Sequence, residues 1–330
     1  MLIYQSKLRF SLVHPPRTSL FLEVPLSNRI RTFASVTDRQ PGIDFDLLTA
    51  RSIFRRNPNC KMKDKVVIIT GGSSGIGLAL AYEFLRNGSK VVITARTQAN
   101  LNDAAKALGH SGSNLLPVVA DAGVKEDCEQ TVKSTIDHFG KIDVLVNNAG
   151  ISMRALFAEL DLSVLEKVMQ VNFWGTVYMS KYALPHLLRT KGSIAGISSI
   201  AGYRGLPART GYSASKFAMN GFLESLRGEL LPHGVNVIAI SPGFTASNIR
   251  NQALTKDGVP QGGSPLDEGK IMTAEEVARR SYRAIAIRRR GIIMSTQGRL
   301  TVFLNKWLPG FMDKMVIKHF QREEGSPTGS

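Results

Sequence analysis

Val66-Val67-Ile68-Ile69 runs directly into Thr70-Gly71-Gly72-Ser73-Ser74-Gly75-Ile76-Gly77, and a helical pattern from Ile76 to Leu85 begins before that loop has ended. A continuous apolar run suits a strand buried on both faces, as in parallel sheets. The glycines answer three steric demands. Gly71 permits the tight turn, Gly75 lets the backbone approach a pyrophosphate, and Gly77 allows the helix to pack closely. A helix that starts here presents free N–H groups and partial positive charge to the loop. The arrangement predicts a dinucleotide site with Gly71, Ser73, Ser74, Gly75, Ile76 and Gly77 as its cradle.

The pattern then alternates. Strands are expected at 91–94, 115–119, 144–146, 193–197, 235–240 and 291–294. Helices are expected at 100–108, 124–139, 164–188, 212–231 and 274–287. Alternating strands and helices predict a parallel, doubly wound α/β sheet with right-handed crossovers. The 330 residues are 43% hydrophobic, enough for one large domain with a substantial core. No apolar run approaches the ~18–20 residues of a membrane span. Cys60 and Cys128 are too few for a disulfide framework or a four-ligand zinc site, and no His/Cys/Asp cluster with metal-ligand spacing occurs. The net charge of +16 calls for an anionic partner. No nucleic-acid-binding signature accompanies it, so no nucleic-acid partner is expected.

The second strand ends Thr94-Ala95-Arg96-Thr97. An acid near its end would bind the ribose 2′-hydroxyl of NAD. Ala95 stands there instead, and the Arg96 guanidinium suits a 2′-phosphate, so NADP is expected over NAD. The alternative is that Arg96 is a surface residue. Asp121, after the third strand, would accept from an adenine amino group or cap the helix at 124–139. Three further features fall at strand ends, where ligands bind in open α/β sheets. These are Asn147-Asn148-Ala149-Gly150, Ser198-Ser199, and the pair Tyr212 and Lys216 at the start of a helix. The i,i+4 spacing puts the last two on one helical face. A free phenol, with a pKa near 10, is a poor acid–base group at neutral pH. A neighbouring ammonium lowers it.

Together these residues resemble the short-chain dehydrogenase/reductase family, in the branch marked by TGxxxGxG, NNAG and YxxxK. All three occur here in order. Ser199 lies 13 residues before Tyr212, Asn172 matches the family's helix asparagine, and Pro242-Gly243 its nicotinamide-flanking pair. The resemblance covers residues 62–295 and implies a single-domain Rossmann-type fold. It also implies roles. Tyr212 is the acid in reduction and the base in oxidation, and Lys216 lowers its pKa and holds the nicotinamide ribose. Ser199 steadies the substrate oxygen. Asn172 supports a water between Lys216 and solvent. Asn148, Ala149 and Gly150 frame the cofactor, and Thr245 and Ser247 lie where the family binds the carboxamide. The expected activity is NADP(H)-dependent interconversion of a carbonyl and a secondary alcohol by a homo-oligomer. A cofactor-binding sensor or membrane-surface protein on the same fold is the alternative.

Residues 244–273 are polar and turn-rich, as a substrate lid or a long surface loop would be. Ile151, Met153, Ile200 and Leu206 suggest an apolar pocket, and hence a lipophilic ketone, aldehyde or 3-oxo lipid. From Lys270 to Arg322, twelve Lys or Arg stand against Glu275, Glu276 and Asp313. The amphipathic basic tail at 296–330 packs on the core or a subunit interface, or touches a membrane. Residues 1–61 are basic and proline-punctuated: a disordered or targeting extension, or translation from upstream of Met62. The expected location is cytoplasmic, or mitochondrial or membrane-associated if that extension is a targeting segment.

Overall fold

The computed structural model describes residues 62–109, 113–243, 245, 249–263 and 271–322. All belong to one compact unit. The readings of residues 1–61, Ser247 and 323–330, and parts of the proposed lid, lie outside the described residues.

Seven strands form one sheet in the order β3-β2-β1-β4-β5-β6-β7. They are β1 (Val66–Ile69), β2 (Lys90–Ala95), β3 (Leu115–Val119), β4 (Val144–Asn147), β5 (Ser193–Ile197), β6 (Asn236–Ser241) and β7 (Gly291–Ile293). Every pairing is parallel. β1 pairs with β2 on one side and β4 on the other, so the winding reverses there and a crevice opens at the strands' carboxyl ends.

Residue alternation sends each strand's side chains into two cores. Val67, Ile69, Val91, Ile93 and Val146 meet α1 (Gly75–Arg86), α2 (Gln98–Leu108) and α7 (Ala274–Ala286) on one face. There Phe84 of α1 packs edge-on against Tyr282 of α7, with ring centroids 5.1 Å apart. Ile68, Val92, Leu145 and Ile194 meet α3 (Lys125–Phe139), α5 (Gly175–Thr190) and α6 (Thr210–Leu230) on the other. Full burial on both faces explains the unbroken apolar runs of the central strands.

The amino edge of the sheet is closed by charge. Buried Asp143, just before β4, accepts from Lys65 Nζ at 2.7 Å and from Val66 N at 3.0 Å, and pairs with Lys141 Nζ at 2.9 Å. Burial raises its pKa, but these bonds outweigh burial and leave it below the usual carboxylate value.

The long helix expected at 164–188 is two helices. α4 (Leu162–Met169) passes into a π-turn at Gln170–Trp174 before α5 begins. The tail is also helical, as α8 (Thr296–Trp307) and α9 (Pro309–Gln321).

Candidate active site

A cleft of about 800 Å³ lies over the carboxyl ends of β1, β2, β4, β5 and β6. Its floor is the glycine loop. Gly71 (φ +63°) and Gly75 (φ +50°) occupy the left-handed region that favours glycine. A Cβ on Gly77 would fall 2.2 Å from the Gly71 carbonyl oxygen and 2.5 Å from Asn148 Nδ2, so only glycine lets α1 approach the turn. Ser74 is the N-cap of α1 but makes no side-chain cap bond, which leaves the first N–H groups turned to the cleft. These features fit an anionic diphosphate bridge. Ser73, Ser74, Gly75, Ile76 and Gly77 all line the cleft.

Asn148 serves this loop directly. Its Nδ2 donates to the carbonyls of Thr70 (2.9 Å) and Gly71 (3.1 Å), and Thr70 Oγ1 accepts from the N–H groups of Asn148 and Ala149, both at 3.0 Å. Thr94 adds a tie: its hydroxyl accepts from Gly71 N at 3.2 Å. Asn148 thus clamps the two loops together, and Ala149 and Gly150 form the adjoining wall. Sequence reasoning passed over Thr70 and Thr94 as clamps, because a threonine at a strand end carries no signal of its tertiary partner.

Ala95 ends β2 buried, and exposed Arg96 follows on the cleft rim. Asp103 of α2 stands on the same rim, a second charge that no motif marked. Asp121 lines the cleft without capping α3: its Oδ1 accepts from Gly123 N at 2.8 Å in a tight turn, and Val124 holds the N-cap position. Pro242 and Gly243 line the cleft opposite. Thr245 is buried beside them and donates from Oγ1 to the Gly243 carbonyl at 3.0 Å.

The structure brings Ser199, Tyr212 and Lys216 into one cleft and places Asn172 behind them. Ser199 Oγ accepts from Ala201 N at 3.1 Å, which leaves its O–H to donate into the site. Lys216 is buried, and its Nζ donates to the Ile197 carbonyl at 2.9 Å. Burial pushes the Lys216 pKa down to about 8. The Tyr212 phenol is raised, contrary to the expectation of an acidic phenol. Burial dominates there, and a hydrogen bond from Ser199 and the charge of Arg209 only partly offset it.

Asn172 braces the site from behind. It sits fully buried in the π-turn, where Oδ1 accepts from Ile151 N at 2.8 Å. Its Nδ2 donates to the Ile151 carbonyl and to Ser215 Oγ, both at 2.9 Å. Ser215 in turn donates to the Tyr212 carbonyl at 2.7 Å. The carboxamide therefore ties the loop after β4 to the turn of α6 that carries Tyr212 and Lys216.

The substrate side needs correction. Ile151 and Leu206 line the cleft, but Met153 and Ile200 do not. Met153 is sealed in a separate core with Leu160 and Val164. Ser152, Arg209, Gln252 and Leu254 line the cleft as well, so its wall is mixed rather than apolar. Arg209 is buried, follows Ala208 in a left-handed conformation (φ 56°), and reaches Ser152 Oγ at 3.5 Å. Within the proposed lid, Leu254 N donates to the Ser152 carbonyl (2.9 Å) and Arg154 N to the Leu254 carbonyl (2.8 Å). These bonds anchor that part of the lid to the loop after β4.

The short chain dehydrogenase family model matches residues 65–258. An 11-beta-hydroxysteroid dehydrogenase-like 4A of Arabidopsis thaliana is 43% identical over 220 residues, 66% of this chain and 71% of the relative. An 11-beta-hydroxysteroid dehydrogenase A of Arachis hypogaea is 42% identical over 187 residues, 56% of this chain and 53% of the relative. The chain thus spans about half the length of that second relative. A solved short chain dehydrogenase/reductase from Burkholderia phymatum, in complex with NAD, superposes with a TM-score of 0.67 at 25% identity, over 76% of this chain and 96% of that one.

Proposed function

Given that this chain belongs to the short chain dehydrogenase family, and is therefore a dehydrogenase or reductase served by a nicotinamide dinucleotide, we propose that it reduces a lipophilic ketone, aldehyde or 3-oxo lipid with NADPH. The observation that carries this reading is the convergence of Ser199, Tyr212 and Lys216 on one wall of a cleft floored by the glycine cradle.

When bound, the nicotinamide supplies the hydride. The chain's own residues do the rest. The glycine loop and the α1 N-terminus hold the diphosphate. Ser199 donates its hydroxyl hydrogen to the substrate oxygen and stabilises negative charge as it develops. Tyr212 gives that oxygen its phenolic proton. With its pKa raised by burial, the phenol holds a proton to give at neutral pH. Lys216 places a cation beside the aromatic ring, 5.8 Å from its centroid. Asn172 acts as a positioning residue through Ile151 and Ser215.

The absence of an acid at Ala95 and the exposed guanidinium of Arg96 support NADP(H). The names of the relatives point to lipophilic hydroxysteroids. The mixed wall, with Leu206 and Leu254 beside Ser152 and Arg209, favours a substrate that is lipophilic along its body and polar at one end.

A carbonyl panel with NADPH and NADH tests the reading, followed by oxidation of the cofactor. Tyr212→Phe should cut turnover by about 10²–10⁴-fold while NADPH binding persists. Turnover retained by that variant would sink the proton-donor assignment. Cofactor binding with no carbonyl reduced would make the chain a sensor.

A further inference from the structure

The α8–α9 pair has two unlike faces. Inward, Met312, Val316 and Phe320 are buried with Leu206 and Leu304. Arg204 crosses to Asn305 Oδ1 at 2.9 Å and to the Asp313 carboxylate, and Asn305 Nδ2 donates to the Tyr203 carbonyl at 3.1 Å. The pair is thereby docked beside the active-site cleft, which Leu206 also lines.

Outward, Leu300, Phe303 and Trp307 follow an i, i+3, i+7 stripe and are 55%, 60% and 66% exposed. Phe311 and Met315 extend it onto α9 at 52% and 49%. A lone exposed leucine is ordinary, but five large apolar side chains exposed on two consecutive helices are the kind of surface that marks an interaction site. Around them Arg299, Lys306, Lys314, Lys318 and Arg322 are all exposed. The sole acid on the two helices, Asp313, is engaged by Arg204.

We infer that this outward face docks on an anionic lipid bilayer, with the apolar stripe entering the acyl boundary and the five cations meeting acidic headgroups. A second copy of the chain is the poorer occupant, because a two-fold contact would set the five cations against themselves. Among the described residues no helix is long and apolar enough to cross a membrane, so the pair lies in the interface plane. The docking itself is independent of the catalytic reading. One consequence rests on that reading: α9 has its outer face on lipid while Phe320, on its inner face, lies against Arg209 of the cleft wall, with the guanidinium 5.9 Å from the ring centroid. A lipophilic carbonyl compound would then reach the cleft from the bilayer.

The chain holds two tryptophans, so Trp174→Phe in the full-length protein leaves Trp307 as the reporter. Its fluorescence should shift to the blue with vesicles containing phosphatidylserine, far less with phosphatidylcholine alone, and the shift should fade as salt rises. In that background Phe303→Ser with Phe311→Ser, and separately Lys314→Glu with Lys318→Glu, should each weaken binding at least tenfold, with NADPH binding unchanged as the folding control. No shift, an equal shift on both vesicle types, or variants that keep full binding would overturn the proposal. So would serine variants that lose a dimer in light scattering when the parent protein binds no vesicle. Vesicle binding is read without turnover, so a failure of the catalytic reading leaves this test intact.

Discussion

Lys216 Nζ donates to the carbonyl of Ile197, the last residue of β5, at 2.9 Å, and this bond fixes where the ammonium stands. It holds the cation beside the Tyr212 ring, close to where a Cβ on Gly150 would sit, 3.5 Å from Nζ. The phenol therefore has a cationic neighbour anchored to the sheet, while burial sets the direction of its own pKa. Two helix residues four apart become chemistry because a strand end catches one of them.

Burial lowers Lys216 to about 8, against 10.5 in an exposed lysine. The unfolded chain thus binds this proton more tightly than the folded one. The group's contribution to stability rises as pH climbs from about 8 to about 10. Lys216→Met should abolish turnover yet raise the Tm of the unliganded protein at neutral pH, since removing the buried charge relieves on the order of 3 kcal/mol. A Tm that falls in calorimetry would show that the ammonium is well compensated by its surroundings.

The charge of Arg209 lowers the Tyr212 pKa, although less than burial raises it. Arg209→Gln should therefore raise the phenol further. Reduction needs the protonated phenol, so the alkaline fall of kcat/KM should move to higher pH. Arg209→Lys should restore the original profile. An unmoved alkaline limb in the glutamine variant would remove Arg209 from the electrostatics of the reaction.

Arg96 and Asp103 share the rim beyond β2. Arg96→Ala should raise the KM for NADPH by about 10–100-fold and leave that for NADH nearly unchanged, as loss of one charge-assisted bond to a 2′-phosphate costs about 1.5–3 kcal/mol. Asp103→Asn should act in the opposite sense on NADPH. Equal effects of Arg96→Ala on both cofactors would exclude a 2′-phosphate contact.

Asp143 lies at the amino edge of the sheet, opposite the cleft, so its removal should cost stability without a direct effect on chemistry. Asp143→Ala leaves Lys65 and Lys141, both about 40% exposed, without their shared partner. A loss of about 2 kcal/mol is expected in urea unfolding, below the range for fully buried pairs because the lysines reach solvent. Its pKa is depressed in the folded chain. Its stabilisation is therefore present above the unfolded value near 4 and is lost as pH falls through the lower folded value. A variant as stable as the parent, or one whose stability falls equally at low pH, would show the cluster to be inert.

Much of the fold was readable because its signals are local. β1, β3 and β5 lie over the residues expected, and the other strands differ by one residue at one or both ends. The break at Asn172 was not readable. Residues 164–188 keep apolar positions throughout, so periodicity continues across a π-turn that is held by hydrogen bonds to Ile151 and Ser215, far away in the chain. Met153 and Ile200 failed as pocket residues for a related reason. Apolarity marks burial but does not say in which core. Arg209 escaped notice because a single arginine before a helix resembles a solvated surface residue until its neighbours are known.

The sequence by itself determined the order of strands and helices, the steric need for glycine at 71, 75 and 77, and the spacing that puts Tyr212 and Lys216 on one helical face. Each depends on backbone sterics or helical period within a few residues. Only the tertiary structure decided that burial raises the phenol while Arg209 and Ser199 restrain it, that Asn172 braces the site through a π-turn, and that α9 packs behind Leu206 and Arg209 of the cleft wall. Those outcomes depend on dielectric, charge and hydrogen-bond partners brought together from distant parts of the chain, and a pattern along one dimension carries no measure of such distances.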